Sequence, residues 1–209
     1  PARKPATGSR ASSRVALRMT ALMLVLGCAA FLIFEWDNPG TMGPLSLGGK
    51  LNAALFQSVT CRTAGFNTVD LNALTDQSKL VSIILMFIGA APAGTAGGVK
   101  VTTLAVLVMT VLCVMKGEED TIIRRKKIER QAVYRALTLF TMAILVVALS
   151  AFVIHFSLDG QFPALDVIFE EVSAFATVGL SVGVTGRLNT GAKLLYMLVM
   201  FMGRVGPVS

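Results

Sequence analysis

The chain has 209 residues, 54% of them hydrophobic and only 15% charged, with a net charge of +7. Soluble domains carry roughly 25% charged residues; here the apolar residues run in blocks instead of at helical or strand spacing, which favours a membrane protein. The basic residues sit in two clusters beside apolar blocks without interleaved aromatics, so no nucleic-acid partner is expected, and Cys28, Cys61, Cys113 and the lone His155 have no metal-ligand or disulfide spacing.

In chain order, residues 1–14 are polar and read as a flexible cytoplasmic segment. Residues 15–35 form an apolar stretch long enough to span a hydrocarbon core of about 30 Å, with Trp36 as an interfacial anchor. A Gly/Pro-rich turn region leads to a short amphipathic helix at 50–59 and the loop 60–68, "TCRTAGFNT". That helix is too short to cross, so it reads as a re-entrant hairpin, a geometry tolerated only where the backbone is buried in protein or lines water.

The apolar run 79–116 would measure over 50 Å as one straight helix, at about 1.5 Å per residue. Its centre, "GAAPAGTAGGVK" at 89–100, is rich in Gly and Pro, so a broken span is expected. Residues 117–135, with "RRKK" inside, read as a basic linker. The positive-inside rule puts this linker and the N-terminal segment on the cytoplasmic side. A span at 136–156, a short helix at 163–174, a loop at 176–182 and a span at 193–209 follow. The chain starts without Met and stops in an apolar stretch, so a longer parent protein is expected.

The second half repeats the first. Thr63-Ala64-Gly65 matches Thr177-Val178-Gly179, Lys79-Leu80 matches Lys193-Leu194, and Gly89 matches Gly203, all at an offset of 114 residues. Phe56 and Val59 on the first short helix match Phe169 and Val172 on the second, with one residue inserted before the turn. The unit is therefore span, short helix, glycine turn, span. Two such units, 15–116 and 136–209, have the same orientation. Parallel repeats are related by an axis along the membrane normal, and four copies would close a ring. The expected fold is an all-α integral membrane protein made of tandem span–pore-helix–filter-loop–span units.

Each turn follows the carboxyl end of a short helix, where the peptide dipoles leave partial negative charge. A ring of main-chain carbonyls can replace the hydration shell of an alkali cation. Gly65 and Gly179 would permit positive φ, and Thr63 and Thr177 would add hydroxyls. The candidate ion-binding residues are Thr63, Ala64, Gly65, Phe66 and Asn67 in one loop and Thr177, Val178, Gly179, Leu180 and Ser181 in the other. Arg62 would repel a cation, so it is expected to point behind the turn and pair with Glu170 or Glu171; a surface arginine at the outer rim is the alternative.

The strings "SVTCRTAGFNTV", "GAAPAGTAGGVK" and "FEEVSAFATVGLS…MFMGRVGP" resemble the Trk/Ktr/HKT superfamily of potassium transporters, most closely the membrane subunit of the bacterial Ktr and Trk systems. The resemblance covers nearly all of 15–209 and implies the third and fourth of four units around one pore, the C-terminal half. It implies potassium uptake across the plasma membrane by a multi-pass protein. It also implies that Gly89, Ala90, Ala91, Pro92, Ala93, Gly94, Thr95, Ala96, Gly97, Gly98 and Lys100 form an intramembrane gate loop, with Arg204 acting at the corresponding break. A helix kink that only aids packing is the alternative for 89–100. No covalent cofactor is implied. The transported ion is K+, Na+ dependence is an open possibility of the family, and nucleotide enters only through a partner. The partners implied are a second copy of the membrane subunit and a cytoplasmic ring of RCK-type nucleotide-binding proteins, with the lipid bilayer around them.

Three functions compete. A cation-translocating subunit, carrying potassium or, alternatively, sodium or both ions, uses both glycine turns. An intramembrane enzyme would need paired carboxylates, Ser with a base or His/Cys ligands in the spans, and the spans offer none. A scaffold subunit would not need two aligned turns.

Overall fold

Seven helices follow one another in the computed structural model, which describes residues 7–89, 97–117, 122–123 and 126–205. They are α1 (Thr7–Glu35), α2 (Leu47–Thr60), α3 (Asp76–Phe87), α4 (Val101–Met115), α5 (Arg130–Ser157), α6 (Ala164–Phe175) and α7 (Thr190–Val205). A two-residue antiparallel pair, β1 (Ile122–Ile123) with β2 (Lys126–Lys127), lies between α4 and α5.

Helices run further than the apolar patterning implied. α1 starts at Thr7, so the segment read as flexible is in large part helical. Once a long apolar helix is nucleated, adding Ala, Arg and Ser residues at its end costs little. The same holds for α5, which starts at Arg130 inside the stretch read as linker, where Gln131, Ala132 and Arg135 are good helix formers. Among the described residues two segments are long and apolar enough to cross a membrane, Ala16–Glu35 with mean hydropathy 2.2 and Arg130–Ser157 with 2.6. α3 and α4 are separate helices, split at the glycine-rich stretch.

The order long helix, short helix, helix occurs twice, as α1–α2–α3 and as α5–α6–α7. α2 packs on α1 as α6 packs on α5, and α3 packs on α1 as α7 packs on α5. The link between the two triplets is α3 against α6. The buried core gathers where they meet, with Phe31, Met86, Phe169, Phe175 and Leu180 at its centre. Outward faces of α1, α5 and α7 carry Leu17, Ile33, Leu149, Phe152 and Phe201 in the open, as a lipid-facing surface would.

Polar groups in this core are placed to hold ends together. Ser46 and Thr75 cap α2 and α3 by accepting from Gly49 N and Ser78 N. Glu35, fully buried at the end of α1, accepts from Asn38 Nδ2 at 2.6 Å and from Thr75 N and Oγ1 at 2.9 and 2.7 Å. One carboxylate thus ties the end of α1 to the start of α3. α7 approaches the end of α6 so closely that a Cβ at Gly203 would stand 1.7 Å from Phe175 O. No side chain fits there.

Across the α3–α6 link runs an ion pair, Lys79 Nζ to Asp166 Oδ1 at 2.6 Å, with side chains only 8% and 14% exposed. Removing one member of such a pair strands the other charge in a low-dielectric site. Lys79→Ala and Asp166→Ala in the full-length protein should each cost about 3–5 kcal/mol of stability. The double variant should lose less than the sum, as read by thermal unfolding in detergent. Single variants that unfold at the parental temperature would remove the pair from the forces holding the triplets together.

Candidate functional site

Two short turns meet in the middle of the molecule. The first follows α2. Ala64 N and Gly65 N both donate to Thr60 O, at 3.2 and 3.3 Å, so the chain doubles back under the helix end. Thr60 Oγ1 then accepts from Phe66 N at 2.9 Å and donates to Phe66 O at 2.7 Å, holding the far side of the turn. The second turn follows α6. Ala176 N donates to Val172 O at 2.8 Å and Val178 N to Ser173 O at 2.9 Å. Its far side is held by Glu170, whose carboxylate accepts from Ser181 Oγ, from Val182, Val184 and Thr185 N, and from Thr185 Oγ1.

The backbone has the same unusual form in both turns. Thr63 (φ 68°) and Gly65 (φ 74°) are left-handed, as are Thr177 (φ 54°) and Gly179 (φ 92°), while Ala64 and Val178 between them are not. A β-branched residue at positive φ is a genuine outlier. Such strain, of order 1–3 kcal/mol, persists only where the surroundings over-determine it. Here it stands at the same place twice. Among the described residues only Asp159 is another non-glycine with positive φ.

The two turns touch. A Cβ at Gly65 would lie 2.2 Å from Val178 O, with Gly179 Cα 3.7 Å away. Phe66 and Asn67 are exposed beyond the first turn; Val178 and Leu180 are buried in the second, and Ser181 is exposed. The structure thus brings Gly65 of the first turn against Val178 and Gly179 of the second.

The glycine-rich break adjoins the second turn. Its ends are pinned: Ile88 and Val99 form a bridge, Gly89 N donates to Val99 O at 2.8 Å, and Val99 N to Phe87 O at 3.2 Å. Gly97 N donates to Thr177 Oγ1 at 3.1 Å, and Gly98 lies against Ala176. Lys100 is the N-cap position of α4. Ala90, Ala91, Pro92, Ala93, Gly94, Thr95 and Ala96 lie outside the described residues. Arg204 is exposed in the last turn of α7; whether it meets those seven residues falls outside the description too.

One expectation needs correction. Arg62 does point behind the turn, but it does not pair with Glu170 or Glu171. Its guanidinium donates to Thr20 O on α1 and to Gly89 O at the neck of the break, both at 3.3 Å. Glu170 is saturated by the second turn, and Glu171, fully buried, bonds to Ser150 on α5. Two main-chain carbonyls and partial exposure satisfy the arginine without a carboxylate. The ion pair joining the triplets is instead Lys79–Asp166, and the signal for it was legible: both charges stand at the starts of apolar helices. The clamping role of Thr60 carries no such signal, because a threonine near a helix end is common.

Gly65→Ala should destabilise the full-length protein by more than about 1 kcal/mol, the cost of left-handed backbone for an L-residue, before any clash with Val178 O is counted. Gly186→Ala, where a Cβ meets open space, should unfold at the parental temperature. Equal thermal unfolding of both variants would mean that the turns do not press on each other.

Comparison with known proteins fits this geometry. The family model for TrkH, cation transport protein, matches residues 11–209. Ktr system potassium uptake protein B of Bacillus subtilis is 36% identical over 197 residues, covering 94% of this chain and 44% of the relative. The protein of the same name in Vibrio alginolyticus is also 36% identical, covering 94% and 43%. Potassium/sodium uptake protein NtpJ of Enterococcus hirae is 37% identical, covering 93% and 43%. The crystal structure of the potassium transporter TrkH from Vibrio parahaemolyticus superposes with a TM-score of 0.72 at 19% identity, covering 93% of this chain and 42% of the other. The chain spans less than half the length of these relatives. By the match over nearly its whole length, it belongs to the TrkH family of cation transport proteins, membrane proteins that are transporters and not enzymes.

Proposed function

We propose that the protein carries potassium ions across the plasma membrane, as the third and fourth span–loop–span units of a pore completed by the rest of the transporter. The observation that carries this reading is the repeated φ pattern, positive, negative, positive, in two turns that touch. Alternating hand turns successive peptide planes so that their carbonyls face one side. Carbonyls arranged in that way are suited to stand in for the water around an alkali ion. Thr63 to Asn67 and Thr177 to Ser181 are the ion-binding residues in this proposal. Glu170 and Glu171, the carboxylates nearest the second turn among the described residues, are engaged by Ser181 and Ser150.

The break 89–100 is the gate. The bond from Gly97 N to Thr177 Oγ1 supports a position directly beside the ion path, and the bridge between Ile88 and Val99 holds the two ends of the break together. Arg62, bonded to Gly89 O, ties the start of the break to the first turn. Lys100 and Arg204 add positive charge that raises the barrier to cations. The basic residues of 1–14 and 117–135 face the cytoplasm, following the positive-inside rule. On that side a cytoplasmic nucleotide-binding ring would dock, and the membrane subunit itself would pair with a second copy. The "Ktr system" names of the relatives support a multi-component assembly. A second reading, transport of both potassium and sodium, is favoured by the name of the Enterococcus hirae relative.

Expression of the full-length gene in a cell lacking its own potassium uptake should restore growth at limiting potassium, with rubidium uptake saturable and competed by potassium. No rescue, with the protein present in the membrane, would leave a scaffold subunit as the better reading. Competition by sodium as strong as by potassium would favour the second reading. Deleting residues 94–97 should raise the uptake rate. An unchanged or lower rate at normal expression would count against the gate.

A further inference from the structure

The two turns share a backbone form but are not held in the same way. On α2 and α6 the matched positions are Gln57 and Glu170, one residue after Phe56 and Phe169. Gln57 is fully buried, and neither atom of its amide has a partner among the described residues. Glu170, 3% exposed, reaches the segment beyond its turn. Ser181 Oγ at 2.8 Å, Thr185 N at 2.7 Å and Thr185 Oγ1 converge on Oε1. Val182 N at 3.3 Å and Val184 N at 2.9 Å converge on Oε2. A carboxylate offers about four lone-pair sites, so five donors saturate it. Gly183, between the amide donors, has φ 91°, which turns neighbouring N–H groups toward one point.

We infer that Glu170 is a positioning residue for ion selection, one that fixes the outer end of the second turn while the end of α6 fixes the inner end. The inference rests on the function proposed above. The strained stretch from Thr177 to Ser181 is anchored on both sides, at Ser173 O through Val178 N and at Glu170 through Ser181 Oγ. The carbonyls between the anchors can neither shrink around a smaller ion nor splay around a larger one unless a charge-assisted bond is broken. At its outer end the first turn is held by the neutral Thr60 hydroxyl on Phe66, and its matched glutamine makes no bond to the described residues of its loop. The two sides of the ion path therefore differ in stiffness, and the second sets the size of ion accepted. Glu170 contacts no ion; it acts through the loop.

Gln57 is the chain's own control for the substitution Glu170→Gln. An amide keeps one oxygen acceptor and sets an NH2 donor against N–H donors. In the full-length transporter Glu170→Gln should reduce potassium-over-sodium discrimination about tenfold, the size of one lost hydrogen bond to a charged group. The maximal rate per molecule should change less. Thr185→Val, which removes a single donor and keeps the side-chain shape, should shift discrimination in the same direction by less. Hydrogen exchange supplies a readout independent of transport. Amides of Val182, Val184 and Thr185 should exchange about tenfold faster in Glu170→Gln, again one such bond, while those of α5 keep their protection.

If the wild type carries no potassium, the proposed function falls, and exchange alone decides the clamp. Unchanged protection of the three amides would overturn it. If the wild type transports and both variants keep parental discrimination, the positioning role is overturned even where exchange has risen. Should Glu170→Gln fail to reach the membrane, Thr185→Val decides on the same two readouts: a parental ratio and parental exchange overturn the inference.

Discussion

Two strands of irregular backbone, each strained in the same way, press against each other at Gly65 and Val178. That contact is the constraint on which the rest of the structure depends. Backbone of this kind needs every polar group accounted for when water is scarce. The inner N–H groups return to the ends of α2 and α6, and the outer ones go to Thr60 and Glu170. Short helices are required because their ends must stop where the turns begin. Long helices α1 and α5 then form an outer wall, and the apolar faces they leave open are suited to lipid or to the remaining part of the transporter.

Charge in the interior follows a consistent logic. Among the described residues each buried carboxylate is engaged by a neighbouring element: Glu35 by the start of α3, Glu170 by the loop after the second turn, Glu171 by Ser150 within α5. Arg62 rests on main-chain carbonyls of α1 and of the break. Lys79 and Asp166 neutralise each other across the junction between the triplets. In the proposed function, cation selection is left to neutral main-chain oxygen.

Much of this was written plainly in the sequence. The offset of 114 residues tied Thr63-Ala64-Gly65 to Thr177-Val178-Gly179 before any coordinates, because a glycine that must take positive φ cannot drift. The length of the apolar run at 79–116 demanded the break between α3 and α4. Helix starts were less legible: Thr7 and Arg130 lie in polar sequence, and apolar patterning says nothing about where a helix continues into water. The partners of Arg62 were misjudged for a related reason. Sequence shows side chains that can pair but hides main-chain carbonyls that can substitute for them. Glu170 looked like half of an ion pair, since nothing in "FEEVSAF" reveals that backbone amides fifteen residues on fold back over it.

The central claim is that main-chain oxygens of the two turns coordinate a dehydrated alkali ion. Anomalous diffraction from crystals of the full-length protein grown with rubidium or thallium tests it most directly. The account predicts an anomalous peak equidistant from the carbonyls of Thr63, Ala64, Thr177 and Val178, lost when sodium replaces the heavier ion. A peak bound instead by side-chain carboxylates, or none between the turns, would contradict it.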